Sequence, residues 1–215
     1  MKNLLIKEMK LASSPLSYLF LAFAFMTLIP GYPILVGSFF VCLGIFQSFQ
    51  SIRETNDILY TVLLPIDKRD AVKAKFVFVC FIELLALALM AVLTALRMTL
   101  LRDAVVYATN PMMNANLVYL GFAALVFALF NQVFLGGFFK TAYKFGKPFV
   151  VFIILSMLLI CAAEVLHHIP GLEFLNGNER LGIQAVILIW ALGVYAASTA
   201  ASCARAGNRF EALDL

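Results

Sequence analysis

At 215 residues, with 63% hydrophobic and 13% charged residues and a mean hydropathy of +0.97, the chain holds more apolar surface than a soluble domain of its length can hide. Composition therefore indicates an integral membrane protein and leaves no stretch long enough for an independent catalytic or nucleotide-binding domain. The net charge of +4 is informative through its distribution along the chain.

The first residues carry an apolar stripe at Leu5, Met9, Ala12 and Leu16, with Lys7, Glu8 and Lys10 elsewhere on the wheel. That spacing predicts a helix over 1–14 lying on the inner membrane surface; a frayed tail is the alternative. No A-x-A cleavage site follows, so the N-terminus is expected to be retained. Two short apolar runs come next, Leu16 to Ile29 and Ile34 to Phe49, separated by Pro30-Gly31-Tyr32-Pro33. Proline fixes φ and glycine accepts the left-handed region, so this tetrapeptide is a tight turn. The pair is predicted to be a spanning hairpin over 16–49; a re-entrant loop is the alternative. On the second run, Gln47, Ser48, Gln50 and Ser51 make a polar patch that fits either the lining of a translocation path or hydrogen bonding between helices.

Residues 50–75 form the most informative connection. Ile58, Leu59, Val62 and Leu63 repeat as one face of a short amphipathic helix, and Pro65 ends it, since proline lacks the N–H and moves Leu64 off helical angles. Asp67 is placed to cap the next helix, with Asp70 near its exposed N–H groups. An apolar kink framed by charges fits a docking element for a partner protein, or a loop whose apolar face packs on its own helices or on headgroups.

Four further runs each reach the roughly 20 residues needed to cross a bilayer. They are Phe76 to Leu96, Leu117 to Phe139, Pro148 to His167 and Leu181 to Cys203, within the segments 76–139 and 148–203, and a tail follows over 204–215. Thirteen of the sixteen Lys and Arg residues fall at the N-terminus, in 50–75, in 140–147 and in the tail, while Arg97, Arg102 and Arg180 fall on the other side. The positive-inside rule then puts both termini in the cytoplasm. The expected architecture is an all-α membrane protein with six transmembrane helices, a surface helix before them and a cytoplasmic helix between the second and third.

Little else in the sequence carries chemistry. Gly146-Lys147-Pro148 lacks both the leading glycine and the hydroxyl of a phosphate-binding loop, so this chain is not expected to hydrolyse ATP. Cys42, Cys80, Cys161 and Cys203 sit singly inside apolar runs and read as packing residues. Glu83 lies well inside an apolar run, where a carboxylate is a functional candidate or else one reached by water or a cytoplasmic lysine near the headgroups. Glu164, His167 and His168 have metal-ligand residue types, but two or three such residues at the outer end of a span also fit an interfacial helix end or an outer gate. Gln47, Ser51, Glu83 and Glu164 are thus the candidates for a translocation path.

The run Glu54-x-Asn56 followed by Leu63-Leu64-Pro65-Ile66-Asp67-Lys68-Arg69-Asp70-x-Val72-x-x-Lys75 resembles the corresponding loop of small six-span ABC-2-type permeases, the class that includes exporters of phenol-soluble modulin peptides. The resemblance implies a permease subunit that docks on a separate ATPase, which binds ATP and Mg²⁺, while this chain needs no cofactor of its own. It marks Leu63, Leu64, Pro65, Lys68 and Arg69 as coupling residues, with Glu54, Asp57 and Asp67 beside them. The departure is Asp67, where the family often has serine. A second permease copy and a hydrophobic or amphipathic substrate (a peptide toxin, bacteriocin or drug) complete the expectation. The residues themselves leave open an intramembrane enzyme using Glu83 or the Glu164/His167/His168 group, or a membrane immunity or anchoring factor. No nucleic-acid partner is expected.

Overall fold

A computed structural model describes residues 2–102, 104–108, 110–141, 144–177 and 180–213, with the backbone alone described at Lys2, Leu11, Ala12, Leu59, Val62 and Ala108. Among the described residues the architecture is all-helical with no strand. Helix α1 (Lys2–Lys7) continues with π winding over Glu8–Ala12, and α2 (Pro15–Leu19) continues as a 3₁₀ helix over Phe20–Leu28. Then come α3 (Val36–Glu54), α4 (Asp57–Leu63), α5 (Lys68–Thr99) and the short α6 (Val105–Ala108). Helix α7 (Leu117–Leu129) carries a π segment (Phe130–Leu135) and a last turn (Gly136–Phe138); α8 (Gly146–Leu166) and α9 (Leu181–Glu211) follow.

Four of these, α5, α7 with its extensions, α8 and α9, are long and apolar enough to cross a membrane. The expected spans at 16–29 and 34–49 do not meet that test on their own; α1 and the 15–28 helix together do, but they are bent by 82° at their junction. The reason is compositional for α3, whose last turns hold Gln47, Gln50 and Arg53, and one of length for 15–28. The 3₁₀ winding partly compensates. At about 2.0 Å per residue for nine residues and about 1.5 Å for five, Pro15–Leu28 extends about 26 Å, against about 21 Å as a pure α-helix.

The two short elements lie side by side. Gly37 and Gly44 permit this closeness: a Cβ at Gly37 would meet the Phe23 carbonyl oxygen at 2.6 Å, and one at Gly44 would run into Phe20 Cβ. Ser17 Oγ donates to the Gly44 carbonyl at 2.6 Å, and Ser48 Oγ accepts from Ser14 N at 2.8 Å, so the patch on α3 serves helix packing through Ser48. The turn between them has Gly31 at φ +68°, as its sequence predicts.

Helix α7 is the centre of the bundle, packing most extensively on α9 and also on α3, α5 and α8. Its phenylalanines Phe127, Phe130, Phe134 and Phe138 are buried, and the last three interlock with Phe49, Phe149 and Phe152. By contrast α8 and α9 turn apolar faces outward, at Val150, Ile154 and Leu158 and at Val186, Ile189 and Trp190. Unsupported in water, such faces fit a lipid solvent.

Contacts sort the chain into two ends. At one, Lys7 reaches Asp57, Lys75 reaches Glu8, Arg69 reaches Glu211, and Arg53 lies 5.2 Å from the Phe145 ring centroid. At the other, Arg97 donates to the Thr27 carbonyl, Asn114 N to Asn176 Oδ1, and Gln184 to the Phe174 carbonyl. The basic-rich segments identified from the sequence thus gather at one end.

Candidate functional site

The 50–75 segment folds as three parts. Helix α3 runs on to Glu54, five residues beyond the apolar run, and breaks at Asn56, whose φ of 53° lies in the left-handed region that asparagine tolerates. This gives the Glu54-x-Asn56 motif a backbone reason. Helix α4 follows and ends at Leu64, which is extended at φ −74°, ψ 152° before Pro65. Asp67 Oδ1 then accepts from Arg69 N at 2.8 Å and caps α5, the role its position predicts.

Helix α4 is not apolar on the face first expected. Ile58 and Thr61 face inward, while Leu63 is 74% exposed, Tyr60 66% and Leu64 49%; the side chains of Leu59 and Val62 lie outside the described residues. Leu63 therefore points away from Ile58, because five residues on a helix rotate it well past the buried side. Tyr60, Leu63, Leu64 and Pro65 form one exposed apolar corner.

The helix that carries this corner is tied down through Asp57 and Thr61. Lys7 Nζ contacts Asp57 Oδ1 at 2.8 Å and Glu8 Oε1 at 3.2 Å, and donates to Thr61 Oγ1 at 2.6 Å. Lys75 Nζ contacts Glu8 Oε2 at 2.8 Å and Asp57 Oδ2 at 3.2 Å. Two cations and two carboxylates alternate, joining α1, α4 and α5. The Lys75 and Glu8 side chains are only 3% and 2% exposed, so both need the compensation of the cluster, Glu8 from the two lysines and Lys75 from the two carboxylates. Partial burial alone would raise the Asp57 carboxyl; Lys75 and Lys7 outweigh it and hold the group below its ordinary range.

The remaining coupling candidates tie α5 to α9. Lys68 Nζ donates to the Leu213 carbonyl at 2.6 Å, and Arg69 Nη2 meets Glu211 Oε2 at 2.6 Å. The expected tail over 204–215 is helical as far as Glu211, which brings that carboxylate to Arg69. Glu54 is exposed.

The four path candidates do not converge. Ser51 Oγ donates to the Gln47 carbonyl at 3.3 Å, a bond within its own helix. Glu83 is fully buried; its Oε2 accepts from Asn131 Nδ2 and from Tyr195 OH, each at 2.8 Å. Among the described residues its hydrogen-bond partners are these two side chains and not a lysine. Asn131 sits in the π segment of α7, where its freed carbonyl accepts from Ser202 Oγ at 2.7 Å. Glu164 stands at the other end, where Oε2 accepts from Met113 N at 2.8 Å and His167 Nε2 lies 3.3 Å from the Pro111 carbonyl. These residues pin the 110–116 loop, and among the described residues no three metal-ligating side chains converge.

Sequence reasoning missed the Lys7–Glu8–Asp57–Lys75 cluster and the partners of Glu83. The Asn131-Gln132 pair inside an apolar run was a visible signal for the second. Nothing local signalled the first, because Glu8 and Lys75 are 67 residues apart.

Residues 3–205 match the model of the ABC-2 family transporter proteins. The match covers nearly the whole chain, and the chain belongs to this family of membrane permease subunits, which carry out transport rather than catalysis. No curated protein and no solved structure matches it.

Proposed function

We propose that this chain is the permease of an ABC exporter and that its Tyr60–Pro65 corner docks into a groove on a separate ATPase subunit, which supplies the ATP and Mg²⁺ chemistry. The observation that carries this reading is the corner itself, an apolar surface left in water yet held by a buried ion cluster on one side and by the Lys68 bond to the Leu213 carbonyl on the other. Exposed apolar side chains grouped together mark an interaction site, and one tied into the helices beside it can pass a push on to them. Movement of the ATPase pushes α4. The ion cluster passes the push to α1 and to α5, a helix about 48 Å long that reaches the opposite end of the molecule.

In this reading the chain crosses the membrane six times, with Pro15–Leu28 and α3 as a thin spanning hairpin and α1 on the cytoplasmic surface of the cell membrane. Both termini are cytoplasmic, since the end holding Lys7, Lys68, Lys75 and Arg209 is the basic one. A second permease copy completes the path, and the substrate is hydrophobic or amphipathic, such as a peptide, because the polar side chains inside the bundle are few and Glu83, Asn131, Tyr195 and Ser202 bond to one another rather than line a wet pore. Co-expression with the ATPase subunit tests the reading. A detergent-resistant complex that depends on Leu63 and Leu64 supports it, and a permease that purifies without ATPase under all conditions opposes it.

A further inference from the structure

Helices α5 and α9 pack on one another but leave a cleft along their outer side. Its upper part, about 570 Å³, is walled by Val77, Phe81 and Leu84 of α5 against Ala196 and Ala200 of α9. Its lower part, about 440 Å³, is bounded by Arg69 and Lys73 opposite Ala204, Gly207 and Asn208. The two share Lys73, Ala200 and Cys203 and are therefore one continuous groove. Ala196, Ala200, Ala204 and Gly207 recur at helical spacing, so the α9 wall lacks the side chains that would fill the space.

We infer that this groove seats one acyl chain of an anionic phospholipid, with the phosphate at Lys73 and Arg69. Three features select that occupant. The groove grades from an apolar end to a cationic mouth, which matches an amphiphile with a negative head. From Lys73 to Leu84 it runs eleven residues, about 16 Å along the helix, close to half of the roughly 30 Å hydrocarbon core and hence the depth of one leaflet. Its walls are two helices already in contact, so a further helix of about 10–12 Å diameter does not enter between them, whereas an unbranched chain does.

The mouth is available to a phosphate. Arg69 is paired with Glu211 and Lys73 with Asp70, but all four side chains are substantially exposed, and pairs of that kind are held weakly and exchange readily. Basic pockets between membrane helices are recurrent sites for anionic headgroups. The inner wall is made by Tyr195 and Thr199, whose hydroxyls belong to the cluster around Glu83 and Asn131, so the chain would cover that cluster from outside.

Native mass spectrometry of the full-length protein, with phosphatidylglycerol or phosphatidylcholine of equal chain length, tests the site without the ATPase and so independently of the docking proposal. The expected result is one retained phosphatidylglycerol per chain. Lys73→Gln should reduce its preference over phosphatidylcholine roughly fivefold, the share of one lysine near a headgroup. Ala200→Phe should block the groove and remove both lipids, and Ala200→Leu provides the same test should the larger ring prevent folding. Glycerol phosphate, which lacks the chain, should not displace the lipid. The inference is overturned if wild type shows no preference, if the filled groove still retains the lipid, if glycerol phosphate competes fully, or if Ala200→Phe changes the dimer fraction and leaves the lipid count alone, the sign of a subunit interface.

Discussion

Replacing Leu64 by aspartate separates docking from folding. About half of the Leu64 surface is in water in the isolated chain, and it follows a helix end rather than a packed interior, so the change should alter permease stability by no more than about 0.5 kcal/mol. In a docked complex the balance differs. Fully burying a leucine contributes about 1.5–3 kcal/mol, and the half still uncovered here accounts for about 1 kcal/mol. An unpaired carboxylate forced into the same pocket adds about 3 kcal/mol or more. The sum, about 4 kcal/mol, corresponds to roughly a thousandfold weaker Kd. Titration of the ATPase against detergent-purified permease measures this, with a thermal melt of the permease alone as the control for folding. Binding within threefold of wild type, with an unchanged melt, would refute the reasoning and remove the corner from the coupling path.

Three further outcomes follow from the mounting of the corner. Lys75→Met leaves the buried Glu8 with Lys7 as its one remaining cation in the cluster and should cost about 2 kcal/mol of stability, read by thermal denaturation; an unchanged melt means the ion cluster does not hold α1. Because Lys75 and Lys7 depress the Asp57 carboxyl, its stabilising share is fully present above the unfolded value of about 3.9 and is lost as pH falls through the lower folded value, so the melting gap between wild type and Asp57→Asn should be constant from neutral pH to about 5 and close below about 4. Asn56→Val should cost about 1–2 kcal/mol while Asn56→Gly is near neutral, and equal effects would mean that the left-handed conformation is not what the position requires.

What the sequence made legible was local. Pro65 extending Leu64, Asp67 capping α5 and Gly31 turning the hairpin each depend on residues one or two positions away, and each appears in the structure as read. The four long helices followed from composition, because twenty apolar residues admit few other fates. The first two elements were less readable, since a fourteen-residue run gives no sign of how many residues will wind as a 3₁₀ helix and lengthen it. Glu8 was assigned to the polar side of a surface helix, yet it is buried against Lys75, a partner that only the tertiary fold supplies. Glu83 was flagged by its burial in an apolar run, but Asn131 and Tyr195 stand 48 and 112 residues away and no spacing rule connects them.

The central claim is that the Tyr60–Pro65 corner contacts the ATPase. Photocrosslinking from a photoreactive amino acid placed at Leu63, compared with one at Tyr32 on the opposite end, tests it directly in assembled membranes. The account predicts an adduct of permease plus ATPase from position 63 and none from position 32. Absence of that adduct from position 63, in membranes where the complex is otherwise recovered intact, would contradict it.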